Sequence, residues 1–481
     1  MLVSMNMHPD IAKPAQTQVG QATQKQVART AQTQKHSNGA PLRLAIIGGG
    51  AAGFFLALNA HELHQRLSQE AARQQLQQQQ QQQHPQRKQR SACPQHPYPR
   101  PLEIHIFEKS ARVMSKLALT GHGRCNCTNT FAKVKRLDEV YPRGSRLLKK
   151  LFKQFGPRDT YQWFEEHGVA LMTQDDQRIF PAAQTSQTIL DMFLEHAHKY
   201  RVQLHLKQRI DSPENLLIQN GGSFDFVAVT TGGASTAVTT GGSPTSSVAD
   251  TVSACVPSLF GFCIADPQLC ALAGSSRQEA RLSIPHTSFC AKGPLLITHQ
   301  GVSGPAALSL SSYAARWLAE KGYQHELCIN WTGARNQDEI RQQLADLLQK
   351  NPHKRLANVQ PHQLSQRLWN YLIEKNDPAL RKKHCSEVSK KQLNKLVLTL
   401  ANDTYEVSGR SAHKEEFVTC GGVSLRSVNS ATLESKRQAD LYYAGEVLDI
   451  DGITGGFNLQ AAWTCAWVVA HAITCIATQV D

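Results

Sequence analysis

The sequence predicts an α/β fold in which a parallel-sheet domain is interrupted by a small β-barrel and a helical subdomain. Near its start, the chain has an apolar strand, a glycine-rich turn and a helix. A second unit of strand, Gly/Asp loop and apolar helix closes the chain. Between the two units, short apolar segments with strand patterns precede segments whose apolar residues recur every three or four positions, which is typical of amphipathic helices.

Length and composition bound the class of protein. A chain of 481 residues exceeds the roughly 250–300 residues at which single cores stop growing. We see no apolar run of the roughly 18–20 residues that cross a bilayer, and the N-terminal segment lacks the apolar core of a signal peptide. The 12 cysteines are scattered, without a paired C-x-x-C of zinc spacing. We therefore expect a soluble cytoplasmic protein with reduced thiols, no metal site and no membrane insertion.

The net charge of +14 raises the question of a nucleic-acid partner. Basic residues concentrate in two segments, 133–153 and 381–395. Both a nucleic-acid surface and ordinary solvated helix faces have this composition. No nucleic-acid-binding motif accompanies the charge, so we favour solvated faces and keep a nucleic-acid partner as the alternative.

Composition also divides the chain. Residues 1–40 are rich in Gln, Thr, Ala and Lys, which predicts disorder. The parallel-sheet domain is expected over 41–254 and 438–481, with a glutamine-rich insertion at 65–100 that loops out of it, and 236–247 form a mobile loop. A barrel-like domain is expected over 255–335 and 404–437, and a helical subdomain over 336–403.

The first unit has the spacing of a dinucleotide-binding turn. Leu44–Ile47 is an apolar run that suits a buried parallel strand. Gly48, Gly50 and Gly53 follow it and fit G-x-G-x-x-G. The first glycine permits a tight turn, the second lets a pyrophosphate approach the backbone, and the third lets helix and strand pack closely. The N-terminus of the following helix offers free N–H groups to the phosphates.

An acid at the end of the next strand supports this interpretation. The segment "PLEIHIFEK" predicts a strand that ends in Glu108. Removing the insertion at 65–100 restores the usual spacing of about 20 residues from the glycines. An acid here binds the two ribose hydroxyls of an adenosine and disfavours a 2′-phosphate, which favours FAD or NAD over NADP. The alternative is a surface glutamate after an unrelated strand.

Two further loops are ambiguous when considered alone. In "KLALTGHGRCNCTNT", Gly121 precedes Arg124 and Asn126, which suits a loop along a cofactor with Arg124 near its phosphates or its ring. An ordinary polar loop remains the alternative. Gly232 follows the apolar strand Phe224–Val229, where a ligand often passes close to the backbone. A plain turn explains it equally well.

The C-terminal unit completes the expected site. If Leu441–Ala444 is a strand of the same sheet, Gly445 and Glu446 lie at its carboxyl edge, where ligands bind. Glu446 would accept a hydrogen bond from a ribityl hydroxyl. The helix that begins near Asn458 would direct its positive end at the pyrimidine edge of a flavin and stabilise its reduced form. The alternative is a capped C-terminal helix with an acidic loop.

These motifs resemble the BaiN/YhiN-like flavoproteins, a family described as NAD(P)/FAD-dependent oxidoreductases or as the aminoacetone oxidase family. Four segments carry the resemblance: "IIGGGAAG", "FEKSARVMSKLALTGHGRCNCTN", "THQGVSGPAALSLS", and "VTCGGVSLRSVNSATLESK" leading into "LYYAGEVLDIDGITGGFNLQAAW". The resemblance implies a Rossmann-like FAD-binding domain with the barrel and the helices inserted before its last strand. It also implies FAD as cofactor.

Motifs and resemblance together give a predicted cofactor-binding set. It comprises Gly48, Gly50, Ala52, Gly53, Glu108, Lys109, Ser115, Lys116, Gly121, Arg124, Asn126, Ile210, Gly232, Gly445, Glu446, Gly456, Phe457, Asn458 and Leu459. The chain departs from the family in two places within this set. Met114-Ser115-Lys116 stands where the family has Gly-Arg-Lys, and His122 interrupts what is usually a run of three glycines.

We consider three functions. The first is an FAD-dependent oxidoreductase that transfers a hydride between flavin and a small-molecule substrate. The second is an FAD-bearing RNA-modifying or RNA-binding protein, and the third is a scaffold without FAD. No second G-x-G-x-x-G occurs, so NAD(P)H would bind only transiently as a donor. His299 and Cys125 are the candidate catalytic residues, with structural roles as the alternative. The sequence predicts neither the substrate nor the oligomeric state.

Overall fold

A computed structural model describes residues 40–82, 100–233, 251–333, 336–411 and 418–478. The N-terminal segment 1–39 and the loop 236–247, for which we expected disorder and mobility, lie outside the described residues. The first half of the chain contains β1 (Leu42–Ile47), α1 (Ala51–Gln82), β2 (Leu102–Glu108), α2 (Ser115–Gly123), β3 (Thr128–Asn129), α3 (Ser145–Leu151), α4 (Pro157–Glu166), β4 (Leu171–Thr173), β5 (Arg178–Pro181), α5 (Gln187–Lys199), β6 (Gln203–Leu206) and β7 (Phe226–Val229).

The second half contains β8 (Val252–Ser258), β9 (Phe262–Ile264), α6 (Pro267–Cys270), β10 (Ser276–Ser283), β11 (Cys290–Thr298), β12 (Gly301–Ser303), α7 (Pro305–Tyr313), α8 (Ala315–Glu320), β13 (His325–Asn330), α9 (Gln337–Gln349), α10 (Gln366–Asn376), α11 (Lys390–Ala401), β14 (Asp403–Arg410), β15 (Val418–Val423), β16 (Leu441–Tyr443) and α12 (Phe457–Thr478). Short 3₁₀ turns connect several of these elements.

A parallel five-stranded sheet with the order β16-β7-β1-β2-β6 forms the first layer. All four residues of β7 and all three of β16 are buried, as expected for strands covered on both faces. The C-terminal strand β16 pairs with β7, so the end of the chain returns to the sheet that its beginning started. The predicted α/β, Rossmann-like fold class is confirmed.

The first half of the glutamine-rich segment is helical. We expected residues 65–100 to loop out of the domain, but α1 continues to Gln82 and includes the first half of the segment. Alanine, glutamine, glutamate and arginine favour helix, and neither glycine nor proline interrupts the segment from Phe54 to Gln82. Residues 83–99 lie outside the described part of the chain.

The C-terminal helix α12 also departs from an expectation. We saw no apolar run long enough for a bilayer, yet α12 has 22 residues and a mean hydropathy of 1.5, which suffices by length and composition. However, 67% of its most apolar window is buried inside the protein, and the helix packs against α1. A buried core helix of a soluble protein meets the same criteria, so this is weak evidence for a membrane span.

The inserted half of the chain forms a closed barrel with the strand order β10-β11-β12-β9-β14-β13. Helices α9, α10 and α11 lie between β13 and β14 and share a hydrophobic core with the barrel. The strands β8 and β15, which overlap the segments assigned to the barrel, pair with each other in a separate two-stranded sheet. In chain order, β8 lies between the parallel sheet and the barrel, and β15 lies between the barrel and the last strand of the parallel sheet.

Candidate functional site

A cavity of about 860 Å³ opens between the carboxyl edge of the parallel sheet and one end of the barrel. This volume lies within the range of small-molecule and cofactor sites. Its sheet side is formed by the loops that follow β1, β2, β7 and β16, and by α2 and the start of α12. Its barrel side includes Phe260, Ser303, Leu308, Arg410 and Ser411. The parallel sheet and the barrel therefore both contribute to one cavity.

The glycines after β1 divide into two roles. A Cβ at Gly48 would lie 2.6 Å from the carbonyl oxygen of Thr230, and a Cβ at Gly53 would lie 2.1 Å from that of Gly48. Gly48 also has a φ of +112°, which side chains rarely adopt. By contrast, a Cβ at Gly50 would meet no atom within 4 Å, and Gly50 lines the cavity. The outer two glycines are needed for packing, and Gly50 leaves room for a ligand.

Glu108 ends β2 beside this turn. One carboxylate oxygen accepts a hydrogen bond from the backbone N–H of Gly49 at 2.9 Å. The other accepts from the N–H and the hydroxyl of Ser110 at 2.9 and 2.7 Å. These donors hold the carboxylate at the cavity wall with a fixed orientation. Lys109 and Arg112 follow it along the wall and are exposed, so positive charge lies next to the glycine turn.

The carboxyl ends of β7 and β16 form the next part of the wall. The Thr230 hydroxyl donates to the chain after β1, reaching the carbonyl of Gly48 at 2.8 Å. The hydroxyl oxygen of Thr231 is buried without a hydrogen-bond partner among the described residues, and Thr231 lines the cavity. A buried polar atom without a partner is costly, which suggests that a ligand satisfies it.

Glu446 follows β16 and lines the same cavity as Glu108. One of its carboxylate oxygens accepts a hydrogen bond from the backbone N–H of Thr419 at 2.8 Å. The other lies 3.8 Å from Nζ of Lys116, an exposed side chain from the start of α2. Glu446 thus connects the sheet edge to β15 at the cavity wall.

The loop before α12 is held by a network of short contacts. Asn458 accepts a hydrogen bond from the N–H of Gly452 and donates to its carbonyl, each at 2.8 Å. The side-chain oxygen of Asn126, with its amide oriented to satisfy both neighbours, accepts from the N–H of Gly456 at 2.9 Å. A Cβ at Gly456 would lie 2.4 Å from the carbonyl oxygen of Thr128. Gly456 is therefore required by contact with the protein's own backbone, whatever lies in the cavity.

A buried ion pair anchors this loop to the barrel. Arg143 forms a paired contact with Asp451, which is fully buried, and donates to the carbonyl of Ser312 in α7 at 2.8 Å. The hydroxyl of Ser258, at the end of β8, donates to Asp451 at 3.1 Å. Three segments thus meet at one carboxylate and fix the distance between the two sides of the cavity.

Most of the predicted cofactor-binding residues line this cavity. They are Gly48, Gly50, Ala52, Glu108, Lys109, Ser115, Lys116, Gly121, Asn126, Gly232, Gly445, Glu446, Gly456, Asn458 and Leu459. Residues from six separate segments are brought together, as the predicted order of elements requires.

Four predicted cofactor-binding residues do not line it. Gly53 faces the turn, where it permits close packing. Arg124 lies over the ring of Phe180 and donates to Gln184 at 3.3 Å. The side chain of Phe457 is buried against other aromatic rings, and Ile210 packs against the core of the sheet domain.

The two candidate catalytic residues are also absent from the cavity wall. His299 lies exposed in the turn between β11 and β12. Cys125 is fully buried, with its Sγ 3.7 Å from that of Cys127. Because Asn126 lines the cavity between them, both thiols belong to the core side of this segment. Burial raises the pKa of the Cys127 thiol well above its ordinary value, which makes the thiolate unfavourable there.

Several lining residues were not found from the sequence. They are Arg112, His122, Arg178, Thr231, Phe260, Ser303, Leu308, Arg410, Ser411 and Thr454. His122 was visible as an interruption between two glycines. Ser303 and Leu308 lie in a segment that carries the family resemblance, but nothing in the sequence placed them or Arg410 at the sheet edge, because closure of the barrel brings them there.

The cavity fits FAD on observations of this structure. The open position at Gly50 leaves room for a pyrophosphate, and the fixed carboxylate of Glu108 can accept hydrogen bonds from ribose hydroxyls. The buried Thr231 hydroxyl, which has no partner among the described residues, can form a hydrogen bond with the cofactor. Asn458 and Leu459 in the first turn of α12 add the positive end of a helix dipole. Within the described residues, no cluster of three or more His, Cys, Asp or Glu is placed to hold a metal ion.

Fold and site together define an oxidoreductase with a Rossmann-like FAD-binding domain. The model of the HI0933-like protein Rossmann domain matches residues 96–472, and the chain belongs to this family of FAD-dependent oxidoreductases. The resemblance noted from the motifs is thereby confirmed.

Three curated relatives match most of the chain. A ribosomal RNA dihydrouridine synthase of Haemophilus influenzae is 25% identical over 400 residues, covering 77% of this chain and 92% of that protein. A 3-dehydro-bile acid delta(4,6)-reductase of Clostridium scindens is 25% identical over 388 residues, with the same two coverages. A ribosomal RNA dihydrouridine synthase of Escherichia coli is 27% identical over 387 residues, covering 76% of this chain and 91% of that protein.

Solved structures resemble the chain at lower identity. A flavocytochrome c3 fumarate reductase in an open conformation has a TM-score of 0.36 at 12% identity, with 94% of this chain and 81% of that chain covered. A 3-ketosteroid delta1-dehydrogenase from Sterolibacterium denitrificans has a TM-score of 0.39 at 10% identity, covering 90% of this chain and 99% of that chain.

Proposed function

We propose that this protein reduces a carbon–carbon double bond conjugated to a carbonyl group in a small molecule. The observation that carries the proposal is that the same cavity is lined by the glycine turn and by the barrel end. An FAD held along Gly50, Glu108 and Glu446 leaves the barrel side of that cavity for a second molecule. Bound reduced flavin supplies a hydride there, and the protein supplies position and charge.

The names of the relatives support this class of reaction. A synthase of dihydrouridine saturates the C5–C6 bond of uracil, which is conjugated to the C4 carbonyl. A delta(4,6)-reductase acting on a 3-dehydro bile acid saturates ring double bonds conjugated to the 3-keto group. The two substrates differ in size and charge, but in both a carbonyl group is conjugated to the double bond and activates the β-carbon towards hydride.

The barrel side of the cavity suits such an acceptor. Phe260 and Leu308 offer apolar surface, while Ser303 and Ser411 offer hydroxyl groups. Arg410 is the one charged residue that the described barrel strands contribute to the wall. We assign it to the carbonyl oxygen, because negative charge develops on that oxygen as hydride reaches the β-carbon, and a cation placed there stabilises the transition state.

The electron donor is part of the proposal. The described residues contain one glycine turn of the dinucleotide-binding type, and we assign it to FAD. No second turn of this type is then left for NAD(P)H among these residues. NADH or NADPH would then reduce the flavin by binding transiently in the part of the cavity that the substrate later occupies. Glu108 bears only on the adenosine of FAD and does not choose between the two donors.

The test is anaerobic. Purified protein reconstituted with FAD is reduced with NADH or NADPH and mixed with 2-cyclohexen-1-one, cyclohexanone or fumarate. We expect fast reoxidation of the flavin by a conjugated carbonyl and none by cyclohexanone, which has a carbonyl group but no carbon–carbon double bond. Flavin that stays reduced with every conjugated carbonyl contradicts the proposal.

A uracil base within RNA is the second candidate substrate, and one observation favours it. The structure places the segment around Lys354 and Arg355 beside the segment around His384, since Arg355 and His384 pair in a β-bridge. Lys382, Lys390 and other exposed basic residues extend this surface on the helical subdomain. The sequence showed only the second half of this basic surface.

RNA as substrate makes a separate prediction. Ribosomal RNA incubated with the reduced enzyme should gain dihydrouridine, and retention of the protein on RNA should fall steeply with salt, as contacts to phosphate do. If no dihydrouridine forms and the protein is not retained on RNA, while a free conjugated carbonyl compound is reduced, the substrate is a small molecule and not RNA.

A further inference from the structure

We propose that His122 is the acid that delivers the proton in this reduction, an inference that rests on the function proposed above. Hydride addition completes only half of the reaction. The hydride brings two electrons to the β-carbon, and the electrons of the double bond move onto the α-carbon and the carbonyl oxygen. A proton must then form the second C–H bond at the α-carbon.

The cavity wall offers few side chains for this task. Among the described lining residues there is one histidine, and there is neither a cysteine nor a tyrosine. The two lining glutamates each accept a hydrogen bond from a backbone N–H group, and both are already assigned to hydroxyl groups of FAD. Lysine and arginine hold their protons at neutral pH, whereas histidine exchanges its proton there.

The position of His122 agrees with this role. Its side chain is exposed and forms no hydrogen bond or ion pair with any described residue. It lies in the segment that includes Gly121 and Asn126, and Asn126 is joined to Gly456 at the start of α12. His122 and Asn126 therefore belong to the same segment of the cavity wall.

The backbone conformation of His122 also supports a functional role. Its φ of 59° and ψ of 46° are left-handed, as are those of Gly121 on one side, and Gly123 on the other has a φ of 78°. A residue with a Cβ is disfavoured in this conformation, and glycine is not. The family usually has glycine at this position, so a histidine that keeps this backbone, lines the cavity and lacks a partner among the described residues points to a role particular to this chain.

The proposed step balances. The imidazolium of His122 gives its ring N–H proton to the α-carbon, the double bond becomes a single bond with two new C–H bonds, and the flavin is oxidised by two electrons. The neutral imidazole regains a proton from solvent, to which it is exposed.

Two substitutions test the role without endangering the fold. His122→Gly suits the left-handed backbone, and His122→Asn tolerates it better than most residues while keeping a polar side chain. Neither variant exchanges a proton near neutral pH. We expect both to bind FAD as the wild type does, to be reduced by the donor at an unchanged rate, and to be reoxidised by 2-cyclohexen-1-one at least about 100-fold more slowly.

Two further measurements distinguish catalysis from structure. Added imidazole should restore reoxidation of His122→Gly, because the vacated space admits it, and should leave His122→Asn slow. The melting temperature of the FAD-free His122→Gly protein should equal or exceed that of the wild type. Wild-type rates in both variants, loss without imidazole rescue, or a lower melting temperature would each overturn the inference. A wild-type protein that reduces no conjugated carbonyl overturns the proposed function and this inference with it.

Discussion

The backbone N–H of Gly49 donates a hydrogen bond of 2.9 Å to the carboxylate of Glu108. The contact joins the glycine turn after β1 to the end of β2, two neighbouring strands of the parallel sheet. It fixes one carboxylate oxygen at the cavity wall before any cofactor arrives. The acid is therefore pre-oriented by the same turn that accommodates the pyrophosphate, which reduces the ordering that FAD binding must impose.

The contact predicts the effect of removing the acid. Glu108→Ala should weaken FAD binding by about 1.5–3 kcal/mol, the range for a hydrogen bond to a charged group, or about ten- to a hundredfold in dissociation constant. Titration of the FAD-free protein with FAD measures this. Glu103→Ala, on the same strand but outside the cavity, is the matched control and should bind FAD normally. Equal affinities in both variants would remove Glu108 from the site.

The glycine turn allows a cleaner separation of packing from binding. Gly50→Ala should leave the melting temperature of the FAD-free protein unchanged and weaken FAD binding, because its Cβ meets nothing but the cavity. Gly53→Ala should destabilise the fold itself, because its Cβ would lie 2.1 Å from a carbonyl oxygen. Thermal melts and FAD titrations on both variants give the comparison. Tight FAD binding by Gly50→Ala would contradict the path assigned to the pyrophosphate.

At the other end of the site, Glu446 and Gly456 should behave differently from each other. Glu446→Ala should lose about ten- to a hundredfold in FAD affinity. It should also lose some stability, because the N–H of Thr419 then lacks its acceptor. Gly456→Val should chiefly prevent folding, since its Cβ would meet the Thr128 carbonyl at 2.4 Å. Folded Glu446→Ala protein with unchanged affinity would contradict the cofactor role of this stretch.

Arg410 provides the test of the barrel side. Arg410→Met keeps much of the side-chain stem and removes the cation, so FAD should bind normally while reoxidation by a conjugated carbonyl slows about ten- to a hundredfold. Arg281→Met, an exposed change on β10 outside the cavity, should have no effect on either measurement. If the flavin of Arg410→Met is reoxidised at the wild-type rate, a residue other than Arg410 binds the carbonyl oxygen of the substrate.

The barrel should show a pH dependence that originates at His325. Burial lowers the pKa of His325 from its ordinary value of 6.5 to about 4. Between pH 6.5 and pH 4 this histidine is protonated in the unfolded chain but not in the folded protein. Its contribution to the free energy of unfolding is therefore fully present above pH 6.5 and declines as the pH falls towards 4. His325→Phe should lose less stability between pH 8 and pH 4.5 than the wild type, as measured by melting temperature. An identical decline in both proteins would show that His325 does not titrate in this range.

The sheet side of the cavity was predictable from the sequence for physical reasons. Gly48, Gly50, Gly53 and Glu108 occupy positions that the geometry of a strand, turn and helix fixes locally, so their spacing carries the information. Glu446 was predictable because it follows a buried strand at a sheet edge where ligands collect. These positions needed only the assumption that the last strand joins the first sheet.

The barrel side was not predictable in the same way. Arg410 reaches the cavity through closure of a six-stranded barrel, and no local pattern near it marks the end of that barrel. His299 looked significant because polar residues interrupt apolar strands, but the structure makes that interruption an exposed turn. The extent of α1 was missed because low complexity was taken as a sign of a loop, although glutamine-rich sequence also favours helix.

The most direct test of the account is a single turnover without oxygen. FAD-loaded protein is reduced, mixed with one equivalent of 2-cyclohexen-1-one, and analysed for flavin absorbance and for the organic product. We expect one molecule of cyclohexanone for each flavin reoxidised, because hydride and proton add across the carbon–carbon double bond and form two new C–H bonds. Reoxidation that yields the unsaturated alcohol, or flavin that stays reduced with this and every other conjugated carbonyl, would contradict it.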